Sequence, residues 1–118
     1  MKRTIYFEGE LAKRYGTSLK MEASSLREVV AVLNANDPSF KKYLIECSEK
    51  NVGFECLDGN DFITEESSLL PLVNDSLIIT PVVAGAEKAG QKILAAAAIA
   101  LLIYFNPGAA FATAEGLT

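Results

Sequence analysis

The side chains able to do chemistry are few in this 118-residue chain, and histidine is absent. Cys47 and Cys56 lack the close spacing of a redox pair, and without histidine they make no familiar Cys/His zinc site. They read as reduced, partly buried thiols of a protein folded in a cytoplasm. The conspicuous acidic groupings are Asp58/Asp61 and Glu65-Glu66. The ligand ladder of a calcium loop is missing around them, so they read as solvated turn residues. Catalytic triads that use histidine are excluded, and no glycine-rich phosphate loop with its following lysine occurs. The residues therefore assign no catalytic, cofactor-binding or metal-binding position.

Charge and hydropathy divide the chain. The net charge is -4, apolar residues make up 50% and aromatics 8%. Basic residues fall in the pairs Lys2-Arg3, Lys13-Arg14 and Lys41-Lys42 rather than in a dense patch, so direct nucleic-acid binding is not expected. From Ile93 to Ala114 there is no Asp, Glu, Lys or Arg. No secretory signal is read at the start, because Lys2-Arg3 runs into Thr4–Glu10 with its two acids instead of an apolar core.

The elements follow from local pattern. Ile5 and Phe7 share one face of a strand ended by Gly9, and Leu19 and Met21 share one face of a second strand over Ser18–Glu22, with Tyr15-Gly16 in the connection. Ser25 and Glu28 have capping-box spacing, and Leu26, Val29, Val30 and Leu33 then recur at helical intervals. Asp37-Pro38 suits the start of a second, shorter helix with Phe40, Tyr43 and Leu44 on its apolar side. Val52–Cys56 alternates as a strand, Asp58–Asp61 turns, and Phe62-Ile63 makes a short edge. Ser76–Thr80 is a dense aliphatic run suited to a strand buried on both faces. The expected class is α+β, with the element order of the ubiquitin-like β-grasp fold over residues 1–83. A small-residue hinge over 84–92 and a hydrophobic, Ala-rich tail over 93–118, helical or disordered, complete the expected organisation.

Gly9-Glu10-Leu11-Ala12-Lys13-Arg14-Tyr15-Gly16 after the first strand, and Pro81-Val82-Val83-Ala84-Gly85-Ala86 after the last, resemble the corresponding segments of the lambda tail assembly protein I family. The abrupt passage into a small-residue apolar region extends the resemblance over nearly the whole chain. It implies a ubiquitin-like N-terminal domain and a Gly/Ala-rich C-terminal region that act in tail-tip assembly of non-contractile phages, without catalytic residues. It implies tail-tip proteins as partners, among them an assembly protein with JAB-type and NlpC/P60-type peptidase domains. The tail, ending at Thr118, is shorter than the resemblance implies and reads as an incomplete C-terminal region.

Two segments carry the functional expectations. Ala84, Gly85 and Ala86 form a small-residue hinge, with the freedom that glycine confers. Cleavage there by the partner peptidase is one reading. Processing to an exposed Gly85 terminus, as in sulphur carriers and modifiers, is the competing one, although the chain has no Gly-Gly. The second segment runs from Ile93 and Leu94 through Ile99, Leu101, Leu102, Ile103, Tyr104 and Phe105. Its thirteen residues make a helix of about 20 Å, short of the roughly 30 Å hydrocarbon core, and Asn106-Pro107-Gly108 then interrupts the run. Burial in a partner assembly such as the tail tip, contact with the host membrane at genome entry, and a half-span completed by other copies are the uses it leaves open, and a membrane-anchored adaptor is a competing class for the chain as a whole. The expected locations are the host cytoplasm during assembly, the virion tail tip and the host membrane.

Overall fold

The structure, a computed structural model, describes residues 2–86, 88–104 and 114–115. Strand β1 (Lys2–Phe7) is followed by helix α1 (Gly9–Tyr15) and strand β2 (Ser18–Glu22). Helices α2 (Leu26–Asn36) and α3 (Phe40–Glu49) come next, then β3 (Val52–Asp58), β4 (Asp61–Phe62) and β5 (Ser76–Val83). Strand β6 (Leu94–Ala95), helix α4 (Ala96–Tyr104) and strand β7 (Ala114–Glu115) complete the described elements. The sheet is mixed, in the order β4-β3-β5-β1-β2-β7, with β6 on the outer edge of β3. The central pair β1/β5 is parallel, Ile5 facing Leu77, and the pairs β1/β2 and β3/β5 are antiparallel.

Alternation decides which face of the sheet is covered. Ile5, Phe7, Leu19, Met21, Phe54, Cys56, Leu77 and Ile79 are buried and join the helices in one core. The aliphatic run in β5 is not buried on both faces as the sequence suggests. Leu77 and Ile79 are buried, whereas Ile78 and Thr80 are only half-buried, because the core and its helices lie on the other face. Tyr6 in the adjoining β1 is exposed in the same way.

The capping serine behaves as its sequence predicts. Ser25 has extended backbone, and its Oγ accepts the Glu28 amide at 3.2 Å. The Glu28 carboxylate accepts from the Ser24 hydroxyl. Two local expectations change. The stretch between the first two strands holds α1, turned in by Gly9 at φ +59 and turned out by Gly16 at φ +86, values that glycine adopts without steric cost. Glu10 in its first turn and Lys13 and Arg14 in its last complement the helix dipole. Asp37 does not start α3. It follows α2, and its Oδ1 accepts from the Ser39 amide at 3.0 Å, so that Asp37-Pro38-Ser39 forms a turn and α3 begins at Phe40.

The described part of the apolar C-terminal segment packs into the same core. Leu94, Ala96, Ile99 and Leu102 are buried, and α4 lies against both α2 and α3. Ile99 shares a small internal cavity with Leu26, Val30, Leu33, Phe40, Phe54 and Ile79, which places α4 in the helical layer directly above β3. Entry depends on Gly53. A Cβ there would stand 2.4 Å from Ile93 Cγ2 and 2.8 Å from the Leu94 carbonyl oxygen. Gly53→Val is therefore expected to cost about 1–3 kcal/mol by overpacking. A denaturant midpoint equal to that of the parent protein would show that β6 docks without this close approach.

Candidate interaction site

Strand β5 ends in a turn. The Ala86 amide donates to the Val83 carbonyl at 3.0 Å, with Gly85 at φ +91, the positive value that the third residue of a type II turn requires. The Ala84 amide donates to the Asn51 carbonyl at 2.7 Å, which ties the start of the segment to the α3–β3 connection. Ala84, Gly85 and Ala86 are all exposed. The segment returns through Gln91, whose amide donates to the Lys88 carbonyl at 3.0 Å and whose side chain donates to the Glu55 carboxylate on β3. Ala84 at the start and Ile93, Ala95 and Ala96 at the end line one open cleft of about 300 Å³ with Asn51, Val52 and Gly53. Segment 84–92 thus leaves and re-enters the fold at nearly one place.

The second expected segment divides between core and surface. Ile93 and Ile103 are half-buried, while Leu94, Ile99 and Leu102 are inside. Leu101 is 55% exposed. Beside it runs a shallow groove of about 200 Å³ lined by Leu69, Ala98, Leu101 and Leu102, with Glu65 and Ser68 at its polar side. Leu70 and Val73, on the loop that carries Leu69, are also exposed. Tyr104 is the last described residue of α4, and Phe105 with the Asn106-Pro107-Gly108 break lies outside the described residues. No helix among the described residues is long and apolar enough to cross a membrane.

A larger cleft, of about 440 Å³, is not legible in the sequence. Glu10, Arg14, Tyr43, Glu46, Cys47, Lys50, Val52, Pro81 and Val83 enclose it, so it opens next to the Ala84 turn. Its wall is a fixed network. The Arg14 guanidinium lies 4.6 Å from the Tyr43 ring centroid and donates to Asp37 Oδ2 at 2.9 Å and to Ser39 Oγ at 2.8 Å. The Tyr15 hydroxyl donates to the same Asp37 oxygen at 2.7 Å. Burial opposes ionisation of Asp37, but the hydrogen bonds from Ser39, Tyr15 and Arg14 prevail and hold its pKa at about 2. Burial, reinforced by the bond to Asp37, drives the Tyr15 phenol well above its ordinary value.

Both thiols are buried, which disfavours their thiolate form. Burial pushes Cys56 up to about 12, and burial also raises Cys47 against the opposing bond with Tyr43. Asp58 is not the solvated turn residue that Asp-Gly-Asn-Asp suggests. It is 8% exposed, and its carboxylate accepts from the amides of Val73 at 2.8 Å and Asn74 at 2.9 Å. Arg3 completes the fastening by donating to the Leu72 carbonyl at 2.7 Å. Together they hold the loop that carries Leu69 and Leu70.

These features define an α+β protein that presents an apolar groove and a polar cleft on a mixed sheet. The chain is similar to the tail tip assembly protein I of Escherichia phage N15, 28% identical over 110 aligned positions, in a match that covers 90% of this chain and 57% of that protein. It thus spans less than two thirds of its relative's length. No protein-family model matches the chain, and no solved structure matches it.

Proposed function

We propose that this chain is a non-enzymatic assembly factor for the tail tip of a bacteriophage. The observation that carries the reading is the similarity, over 90% of the chain, to a protein named for tail tip assembly. Two geometric features support it. The parallel central pair β1/β5, flanked by β3 on one side and β2 on the other with α2 following β2, is the arrangement expected of a ubiquitin-like β-grasp domain. The exposed Leu69, Leu70 and Leu101 beside α4 offer an apolar surface of the kind that tail-tip proteins would cover. In this reading the domain docks other tail-tip proteins. The Ala84–Ala86 turn is where a peptidase partner would cut, after Gly85, to free the apolar segment for the tip or the host membrane.

The test is made in the phage that encodes the chain. An amber codon early in the gene is expected to abolish infectious particles and leave filled heads without tails, with recovery when the chain is supplied from a plasmid. Normal tails in the absence of the chain would end the proposal. Peptide coverage of purified virions then separates the finer readings. Peptides only from beyond Gly85 mean cleavage at the turn and a retained apolar segment. No peptides from either side mean that the chain leaves before the tail is complete. Adenylation of a processed Gly85 terminus would instead place the chain among sulphur carriers.

A further inference from the structure

Helix α4 carries one buried stripe. Ala96, Ile99 and Leu102 follow at three-residue steps and are all buried, with Leu94 of β6 inside just before them. The helix lies against α2, α3 and β3, and Ile99 closes the cavity over Phe54 and Ile79. On both sides of it the chain is joined to the sheet by backbone pairing. Leu94 and Ala95 pair with Phe54 and Gly53 of β3, and Ala114 and Glu115 pair with Met21 and Lys20 of β2. The Gln91 side chain adds its bond to Glu55. The connection upstream differs in kind. From Ala84 to Gly90 every described residue is exposed, and a side chain at Gly85 or Gly90 would meet nothing within 4 Å. A cut after Gly85 opens the turn bond from the Ala86 amide to the Val83 carbonyl and leaves Ala84 tied to Asn51.

We infer that the groove formed by α2, α3 and β3 is a binding site for an uncharged apolar helix, with this chain's own α4 as its ligand, and that the two stay together when the connection is cut. Apolar burial and backbone pairing depend on where the groups sit and not on covalent continuity. What the connection supplies is local concentration, of the order of millimolar for a short tether. An intramolecular docking constant of about 10³ or more therefore holds the cut pair together at micromolar concentration. Separation uncovers two apolar surfaces at once, the stripe of α4 and its seat at Val30, Leu33, Phe40 and Phe54. Cutting alone thus does not free the apolar segment. This rests on the reading above only for the use of the cut in the phage, since the docking stands on the fold.

The experiment uses the full chain with a sequence-specific protease site inserted between Gly85 and Ala86, an exposed turn of the kind that tolerates insertion. After complete cleavage, size exclusion with light scattering at micromolar concentration is expected to return both fragments in one peak at the mass of the uncut chain. The circular dichroism spectrum is expected to be unchanged, and concentrated urea to part the fragments. Ile99→Gln in the cut protein is expected to weaken the pair by about tenfold or more, read as the concentration at which the fragments part, whereas Leu101→Gln leaves it unchanged. Fragments that part in native buffer at micromolar concentration overturn the inference. So do equal affinities for the two variants, which would put retention outside the buried stripe. Should the inserted chain fail to fold, residues 1–85 and 86–118 are expressed together as separate chains. A soluble one-to-one pair then supports the inference, and a downstream chain never recovered with its partner overturns it. Because the cut is made in the test tube, parting of the fragments leaves the assembly role standing, and normal tails without the chain leave the docking standing.

Discussion

Replacing Ile99 with glutamine is expected to lower the unfolding free energy by about 3 kcal/mol or more, while the same replacement at Leu101 stays within about 0.5 kcal/mol. The two residues are two positions apart in one helix, and both are aliphatic. Ile99 is 4% exposed and faces Phe54, Cys56 and Ile79, whereas Leu101 is 55% exposed. At Ile99 the amide is buried without partners, costing about 1–3 kcal/mol, and the lost apolar burial adds about 1.5–3 kcal/mol. Since whole domains hold only about 5–15 kcal/mol, the first change removes a large part of the stability. Urea unfolding monitored by circular dichroism reads both effects. Equal and small shifts for the two variants would mean that α4 rides on the domain without contributing to its core.

Removal of the Asp58 carboxylate is the second large effect. Asp58→Ala leaves the amides of Val73 and Asn74 without their acceptor, at about 1–3 kcal/mol for each buried donor left unsatisfied. The pH dependence has the same source. Burial works against the ionised carboxylate, but the bonds from Val73 and Asn74 and the charge of Arg3 lower its pKa below the ordinary 3.8. Stability from a lowered carboxylate is complete above the unfolded value and is lost as pH falls through the folded one. Asp37, held at about 2, acts in the same direction. The parent protein is therefore expected to lose stability steadily from pH 4 down to pH 2, and Asp58→Asn to show a shallower decline. Parallel slopes for the two would place the acid response elsewhere.

Local signals made much of the fold legible. Ile5 with Phe7 and Leu19 with Met21 announce strands with one covered face, and Ser25 announces the start of α2. What escaped depends on partners far along the chain. Helix α1 spans seven residues, from Gly9 to the residue before Gly16, too few for a periodic pattern. Asp58 sits in a sequence typical of solvated turns, and its role appears only when the loop returns Val73 and Asn74 to it. The uncharged run from Ile93 has no polar face to orient it, so nothing local separates Ile99 from Leu101. The cleft around Arg14 and Tyr43 joins residues of α1, α3, β3 and β5, a neighbourhood that exists only after folding.

The parallel contact of β1 with β5 sets a timetable for synthesis. Phe7 must wait for Ile79, its partner in the register, before the centre of the sheet can close. At about 5–20 residues per second this wait lasts roughly 4–14 s, during which the first strands and α2 have no completed sheet to lie on. Helix α4 follows β5 in the chain, so the surfaces of Phe54 and Ile79 that Ile99 covers in the folded protein are uncovered until the last stretch is made.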